Sequence, residues 1–302
     1  FTGTGTFIAR LMQTNLIGID NIAYKYKNEI HANEIVLLAY YIAGINIEST
    51  YQDIMRPNKY EKFEGAVLTD TFHLYEQDRD MIANLLPDNS NKRTNQKNRK
   101  ITVIVGNPPY SVGQTSANDN AANINYPNLE EKIKETYGKY SKATNVNSLY
   151  DSYIKAFRWA SDRLSDRGVI SFVTNAGWID GNAMDGFRKC LNNDFDKIYV
   201  YNLKGNARTS GELRRKEAGN VFGGGSRTPI SIVFLIKGLK NSKISSEIKY
   251  AEIEDYLTKE EKLRTIKKYD HIFNLEKLNK FKKINPDDNN DWINKGDKTF
   301  EK

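Results

Sequence analysis

Asn107-Pro108-Pro109-Tyr110 constrains this chain more than any other four residues. It follows Ile101-Thr-Val-Ile-Val-Gly106, a run rich in β-branched residues that reads as a buried strand. Open α/β sheets place their chemistry at the carboxyl ends of strands, and a polar Asn stands there. The two prolines lock the backbone and remove two N–H donors. What is left is one side-chain amide, backbone carbonyls and an aromatic face, a cup suited to a planar amine. The amide oxygen and a carbonyl accept from an –NH2 group, and Tyr110 stacks on the ring. A proline turn that merely closes a strand is the competing reading of these four residues alone.

Helical and strand-like segments alternate around this motif. A glycine turn runs into a helix over 3–17, and a strand end and helix follow over 29–44. Ala66–Leu68 is a short strand ending at Asp70, and residues 87–100 read as a polar, basic loop. An amphipathic helix lies near 129–137 and a stronger one over Leu149–Leu164. Gly168 stops that helix before a strand over Val169–Thr174. Asp185–Asn192 is helical, and Lys197–Leu203 and Ile230–Lys237 are strands. The order predicts an α/β fold with a largely parallel sheet covered on both faces. The last two strands, with only a loop between them, predict an antiparallel hairpin at one edge. A soft boundary falls near 240, giving a catalytic domain over 1–240 and, over 241–302, a helical connector with the start of a further domain.

Composition narrows the function. With 302 residues, 39% of them apolar, there is ample core for one large or two ordinary domains. No apolar run approaches the ~20 residues that cross a bilayer, and no signal peptide is visible. The single cysteine, Cys190, excludes an internal disulfide framework and fits a reducing, cytoplasmic setting. His31, His73 and His271 lie far apart without metal-ligand spacing, so no metal site is expected. The net charge of +7 permits a polyanionic partner without demanding one.

Further segments carry chemical meaning. Phe1-Thr2-Gly3-Thr4-Gly5-Thr6-Phe7 is a glycine loop opening a helix, which lets backbone approach a ligand. Ile8 stands where a dinucleotide fingerprint needs its third glycine, and no Gly-Lys-Ser/Thr follows. Gly-x-Gly with a nearby aromatic fits an S-adenosylmethionine loop better. Glu34, ending the second strand-like segment, can accept both ribose hydroxyls, with Glu29 a rival and a helix N-terminal acid the plain alternative. Asp70 could accept from an adenine amine, or be an ordinary turn aspartate. The Lys204–Arg227 loop carries six basic and two acidic residues among its glycines. Lys204, Arg208, Arg214, Arg215, Lys216 and Arg227 offer a phosphate-contacting surface. The run Lys92–Lys100 reads as solvated charge.

Taken in order, these pieces resemble an S-adenosylmethionine-dependent DNA adenine-N6 methyltransferase of the γ order. Asn118-Asp119-Asn120, Leu149-Tyr-Asp-Ser-Tyr153, Arg158-Trp-Ala-Ser-Asp162, Asn202–Glu212 and Gly219-Asn-Val-Phe-Gly223 are similar to the methyltransferase part of type ISP restriction–modification enzymes. The resemblance implies a Rossmann-like methyltransferase fold. It implies that Thr2–Phe7 hold the methionine part of the cofactor, Glu34 its ribose and Asp70 its adenine edge. Asn107 and the Pro108 carbonyl would bind the target amine, and Tyr110 would stack on a flipped base. The partners implied are double-stranded DNA and, in the same polypeptide, nuclease, helicase-like and recognition domains. The family's Asp-Pro before Phe1 is absent. A fragment is therefore expected, with its first central strand missing and most of a recognition domain beyond residues 270–302. Methylation of a protein glutamine amide, or DNA binding without turnover, remain the alternatives.

Overall fold

The computed structural model describes residues 1–76, 86–110, 125–223, 227–238 and 246–294. Asn118-Asp119-Asn120, Gly224 and Gly225 lie outside the described residues. Contacts divide the chain into two units, and β3 (Ile101–Gly106) contributes residues to both.

The first unit holds residues 1–100, 105–107 and 126–128. Its elements are α1 (Thr6–Gln13), α2 (Ile19–Asn28), β1 (Ala32–Glu34), α3 (Leu37–Met55), β2 (Ala66–Leu68) and α4 (Pro87–Asn98). β1 and β2 pair in parallel, Ala32 opposite Ala66 and Glu34 opposite Leu68. Met12, Ile22, Tyr26, Ala43, Ile47 and Tyr51 form the core beneath them. Tyr26 stacks on Tyr51 with ring centroids 3.8 Å apart.

Residues 87–98, expected as loop, are helical. No apolar period announces α4, because what it buries is polar. Pro87 occupies the first turn, where its missing N–H costs nothing. Asn89 then completes the edge of β2: its amide donates to Leu68 O at 2.9 Å and accepts from Leu68 N at 2.8 Å. Gln96 is also buried. Lys92, in the run read as solvated, lies 2.6 Å from Glu64.

The second unit carries α5 (Pro127–Ile133), α6 (Ser152–Arg163), β4 (Leu164–Asn175), α7 (Asp185–Asp194), β5 (Lys197–Asn202) and α8 (Gly211–Glu217). β6 (Ile230–Lys237), β7 (Glu247–Glu252), α9 (Lys259–Tyr269), α10 (Ile272–Lys277) and β8 (Lys282–Ile284) complete it. A six-stranded sheet runs in the order β3-β4-β6-β5-β7-β8. β6 is antiparallel to β4 and β5, and β7 is parallel to β5, so β4, β5 and β7 point one way. The α/β class stands. The antiparallel β5–β6 pair, however, lies inside the sheet and not at its edge. β7 and β8, from beyond residue 240, add two further strands outside β5.

Gly168 does not stop α6. The helix ends at Arg163 and β4 starts at once, with Gly168 inside it. A Cβ there would sit 2.3 Å from Thr102 O on β3, so glycine permits the close approach of the two strands. α6 lays Ile154, Ala156, Phe157 and Ala160 into the core. The Phe157 ring meets Phe172 of β4 edge-on at 5.3 Å and Phe187 of α7 at 5.2 Å.

Candidate active site

Thr2–Gly5 form a tight turn, Gly5 N donating to Thr2 O at 3.1 Å, that delivers the chain into α1. Gly3 and Gly5 adopt left-handed backbone, φ +57° and +83°. The two glycines differ in purpose. A Cβ on Gly5 would meet Ala43 O and Ile47 Cγ1 at 3.1 Å, so Gly5 seats the turn on α3. Nothing lies within 4 Å of a Cβ on Gly3, which leaves its backbone face open to a ligand. Thr4 O accepts from the Asn46 amide at 2.9 Å. Thr4, Thr6 and Phe7 are exposed.

Glu34 closes this turn from below. One carboxylate oxygen accepts from Gly3 N at 2.7 Å, the other from Ile35 N at 3.0 Å and Val36 N at 2.9 Å. A carboxylate offers about four acceptor positions, and three are taken. Room remains for one hydroxyl, short of the two the spacing suggests. Glu29, the rival, is instead exposed and paired with Lys25. Asp70 accepts from Phe72 N at 2.9 Å and from the Tyr126 hydroxyl at 2.6 Å, keeping acceptor capacity for an amine. The Phe72 ring stands edge-on to Phe1 at 5.3 Å and to Tyr126 at 5.2 Å. Sequence spacing revealed neither Phe72 nor Tyr126. An open glycine backbone, two carboxylates with acceptor capacity and these rings suit an adenosine-bearing cofactor.

Asn-Pro-Pro-Tyr leaves the carboxyl end of β3, with Asn107 half-buried, Pro108 buried and Pro109 exposed. Tyr110 donates to Val173 O at 3.3 Å. Burial raises its phenol above the ordinary value, so the ring stays neutral at any working pH. The Phe222 ring lies beside it, tilted by 46° with ring centroids 6.1 Å apart, and Phe222 is 48% exposed. In the sequence Phe222 stands within Gly219-Asn-Val-Phe-Gly223, one of the stretches that carry the resemblance, with no role of its own attached.

That loop contains a helix, α8. Its cations have different fates. Lys204 is buried, its ammonium bonded to Asp255 and 3.7 Å from Glu252. Arg214 donates to Ala218 O at 2.6 Å. Arg208, Arg215, Lys216 and Arg227 are exposed, Arg215 lying 3.4 Å from Glu212. Among the described residues, no group of three His, Cys, Asp or Glu side chains could hold a metal ion. Nor is any helix among them long and apolar enough to cross a membrane.

The fold is that of an α/β methyltransferase, for which S-adenosylmethionine is the methyl donor. More narrowly, residues 15–208 match the Eco57I restriction-modification methylase family, and the chain belongs to it. It is similar over 100% of its length, at 45% identity and a TM-score of 0.91, to a nuclease-deletion mutant of the Type ISP restriction-modification enzyme LlaGI in complex with a DNA substrate mimic. It is also similar to the ATP-dependent Type ISP enzyme LlaBIII bound to DNA, at 41% identity over 100% of the chain and a TM-score of 0.92. The DrdV–DNA complex matches at 36% identity over 99% of the chain, TM-score 0.85. The chain spans 24%, 20% and 28% of those three chains, respectively. No protein of curated function matches it.

Proposed function

We propose that the chain methylates N6 of adenine in DNA, as the modification part of a Type ISP-like restriction–modification enzyme in a reducing cytoplasm. The observation that carries this reading is Asn-Pro-Pro-Tyr at the end of β3, with the Phe222 ring 6.1 Å from that of Tyr110. Adenine N6 is a poor nucleophile because its lone pair is delocalised into the ring. The Asn107 side-chain oxygen and the Pro108 carbonyl accept its two hydrogens and localise that pair. Tyr110 and Phe222 wall the flipped base, offsetting part of an unstacking cost of a few kcal/mol. S-adenosylmethionine, held by Thr2–Phe7, Glu34 and Asp70, supplies a sulfonium methyl. The amine nitrogen bonds to that carbon, the sulfur keeps the electrons of the broken bond, and the surplus N6 proton passes to solvent. Catalysis is then positioning and electrostatics, with no general acid or base required.

Arg208, Arg215, Lys216 and Arg227 are the cations left to meet phosphates, which favours DNA over a protein amide as substrate. LlaGI, LlaBIII and DrdV, each described with DNA or its mimic, point the same way. β7 and β8 extend the six-stranded sheet past residue 240, which supports a boundary with a recognition region beyond residue 284. The test is the parent polypeptide with methyl-labelled S-adenosylmethionine and mixed-sequence duplex DNA, digested to nucleosides. Label in N6-methyladenosine is expected. Label in protein and none in DNA rejects the reading. Asn107→Ala is expected to abolish transfer while cofactor binding persists, and equal loss of both would remove Asn107 from its role.

A further inference from the structure

Lys262 of α9 is 0% exposed, and its ammonium reaches out of the helix to two backbone carbonyls. It donates to Leu203 O at 2.9 Å and to Glu217 O at 2.8 Å. Leu203 immediately follows β5, and Glu217 ends α8. Together they bracket the outgoing limb of the loop that carries Arg208, Arg214, Arg215 and Lys216. A buried ammonium is destabilising unless its donors are used. Here two of its three donors are used, and the Glu217 carbonyl lies at a helix C-terminus, where the backbone dipole favours a cation.

The return limb is seated on the same helix. Gly219 has no room for a side chain, because a Cβ would fall 2.5 Å from Lys259 N. Its own N–H donates to Leu257 O at 3.3 Å, and Tyr256 N donates to Lys216 O at 3.1 Å. Asn220 then ties the limbs together, its amide donating to Thr228 O at 2.8 Å and Gly205 O at 3.2 Å. Its side-chain oxygen accepts from Phe222 N at 2.9 Å. The chain from the Lys262 ammonium to the Phe222 ring is thus a continuous set of backbone anchors.

We infer that Lys262 is the positioning residue of the target-base loop: by holding the Leu203 and Glu217 carbonyls it sets Phe222 opposite Tyr110. The inference rests on Tyr110 and Phe222 walling the target base. Methionine at 262 fills similar volume and leaves both carbonyls unpaired. Arginine can still donate to them.

The experiment uses the parent polypeptide, labelled S-adenosylmethionine and mixed-sequence duplex DNA. Lys262→Met is expected to lower kcat/KM for DNA by about 100-fold, the scale of a small misplacement of reacting groups, with cofactor affinity within twofold of wild type. Limited trypsin digestion should cut the variant after Arg214, Arg215 or Lys216 faster than wild type, and Lys262→Arg should recover part of the rate. Gly219→Ala, which disturbs the same seat without removing a charge, should give the same split. Transfer by Lys262→Met within threefold of wild type overturns the inference. So does cofactor binding lost in step with transfer in both Lys262→Met and Gly219→Ala. If the wild-type polypeptide labels no DNA, the functional reading fails separately. Trypsin then decides on its own: unchanged cleavage of the loop in Lys262→Met rejects the positioning role.

Discussion

The Tyr126 hydroxyl donates to the Asp70 carboxylate at 2.6 Å, across 56 residues of sequence. The acid that ends β2 is therefore held in place before any cofactor arrives, by Phe72 N on one oxygen and Tyr126 on the other. Asp70→Ala should weaken S-adenosylmethionine binding by about 10-fold or more, since a hydrogen bond to a charged group contributes about 1.5–3 kcal/mol. Tyr126→Phe should cost less, because it leaves the acceptor present and only frees its orientation. Isothermal titration of the parent polypeptide with the cofactor checks the ranking, and equal losses would contradict it.

Glu34 joins three backbone N–H groups, from Gly3, Ile35 and Val36. Glu34→Ala strands these donors and unties the glycine turn. The expected result is a loss of about 1–3 kcal/mol in stability together with loss of cofactor binding. Glu34→Gln retains one accepting oxygen and should fall between. Thermal melts with and without cofactor separate the two effects.

Lys204 is neutralised inside the protein by Asp255 and Glu252, whereas Arg208, Lys216 and Arg227 face outward. Removing a phosphate contact lowers the slope of log affinity against log salt by about 0.9. Alanine at Arg208, Lys216 or Arg227 should each reduce the slope on duplex DNA by that order. Lys204→Met should leave the slope unchanged and cost stability instead, since Asp255 is left without its cation. A slope change at Lys204 equal to the others would show that the loop opens to meet DNA.

Asp151 is 7% exposed, and burial pushes its carboxyl up to about 7, with Lys155 and Arg208 pulling the other way and Tyr153 the remaining ionisable neighbour. The sign follows directly. Between its ordinary value and about 7 the folded protein keeps a proton that the unfolded chain has lost, so stability falls as pH rises through that window. Asp151→Asn cannot ionise. The variant should exceed wild type in stability at pH 8, and the gap should shrink by about 1–3 kcal/mol on going to pH 5. Denaturant melts at the two pH values test this, and a gap that widens at pH 5 would refute it.

Strands rich in β-branched residues were legible to the residue: Ala66–Leu68, Ile101–Gly106 and Ile230–Lys237 stand where the pattern puts them. Runs of this kind carry their own strand signal but not their burial: in the second, Val103 and Val105, expected inside, are exposed, because strand propensity is local and covering a face takes distant partners. α4 carried no apolar signal, because the Asn89 and Gln96 it buries are polar, and Asn89 is held by hydrogen bonds to Leu68 of β2. Phe222 was likewise invisible as a partner of Tyr110, since 112 positions separate them in the numbering and only the loop's seat on α9 brings the rings together.

By itself the order of residues set the local features on which the proposed chemistry rests: Asn107-Pro108-Pro109-Tyr110 after a β-branched strand, a glycine turn ahead of a helix, and an acid at the end of each of two short strands. These are local properties, set by backbone conformation and by side chains adjacent in sequence. Only the tertiary structure decided which of the charges act outward. Lys204 and Arg208 look equivalent in one basic loop, yet Asp255, Glu252 and Lys262 arrive from beyond residue 240 to bury the first and leave the second in solvent. A charge finds its effect through the groups that surround it, and those groups are chosen by the fold.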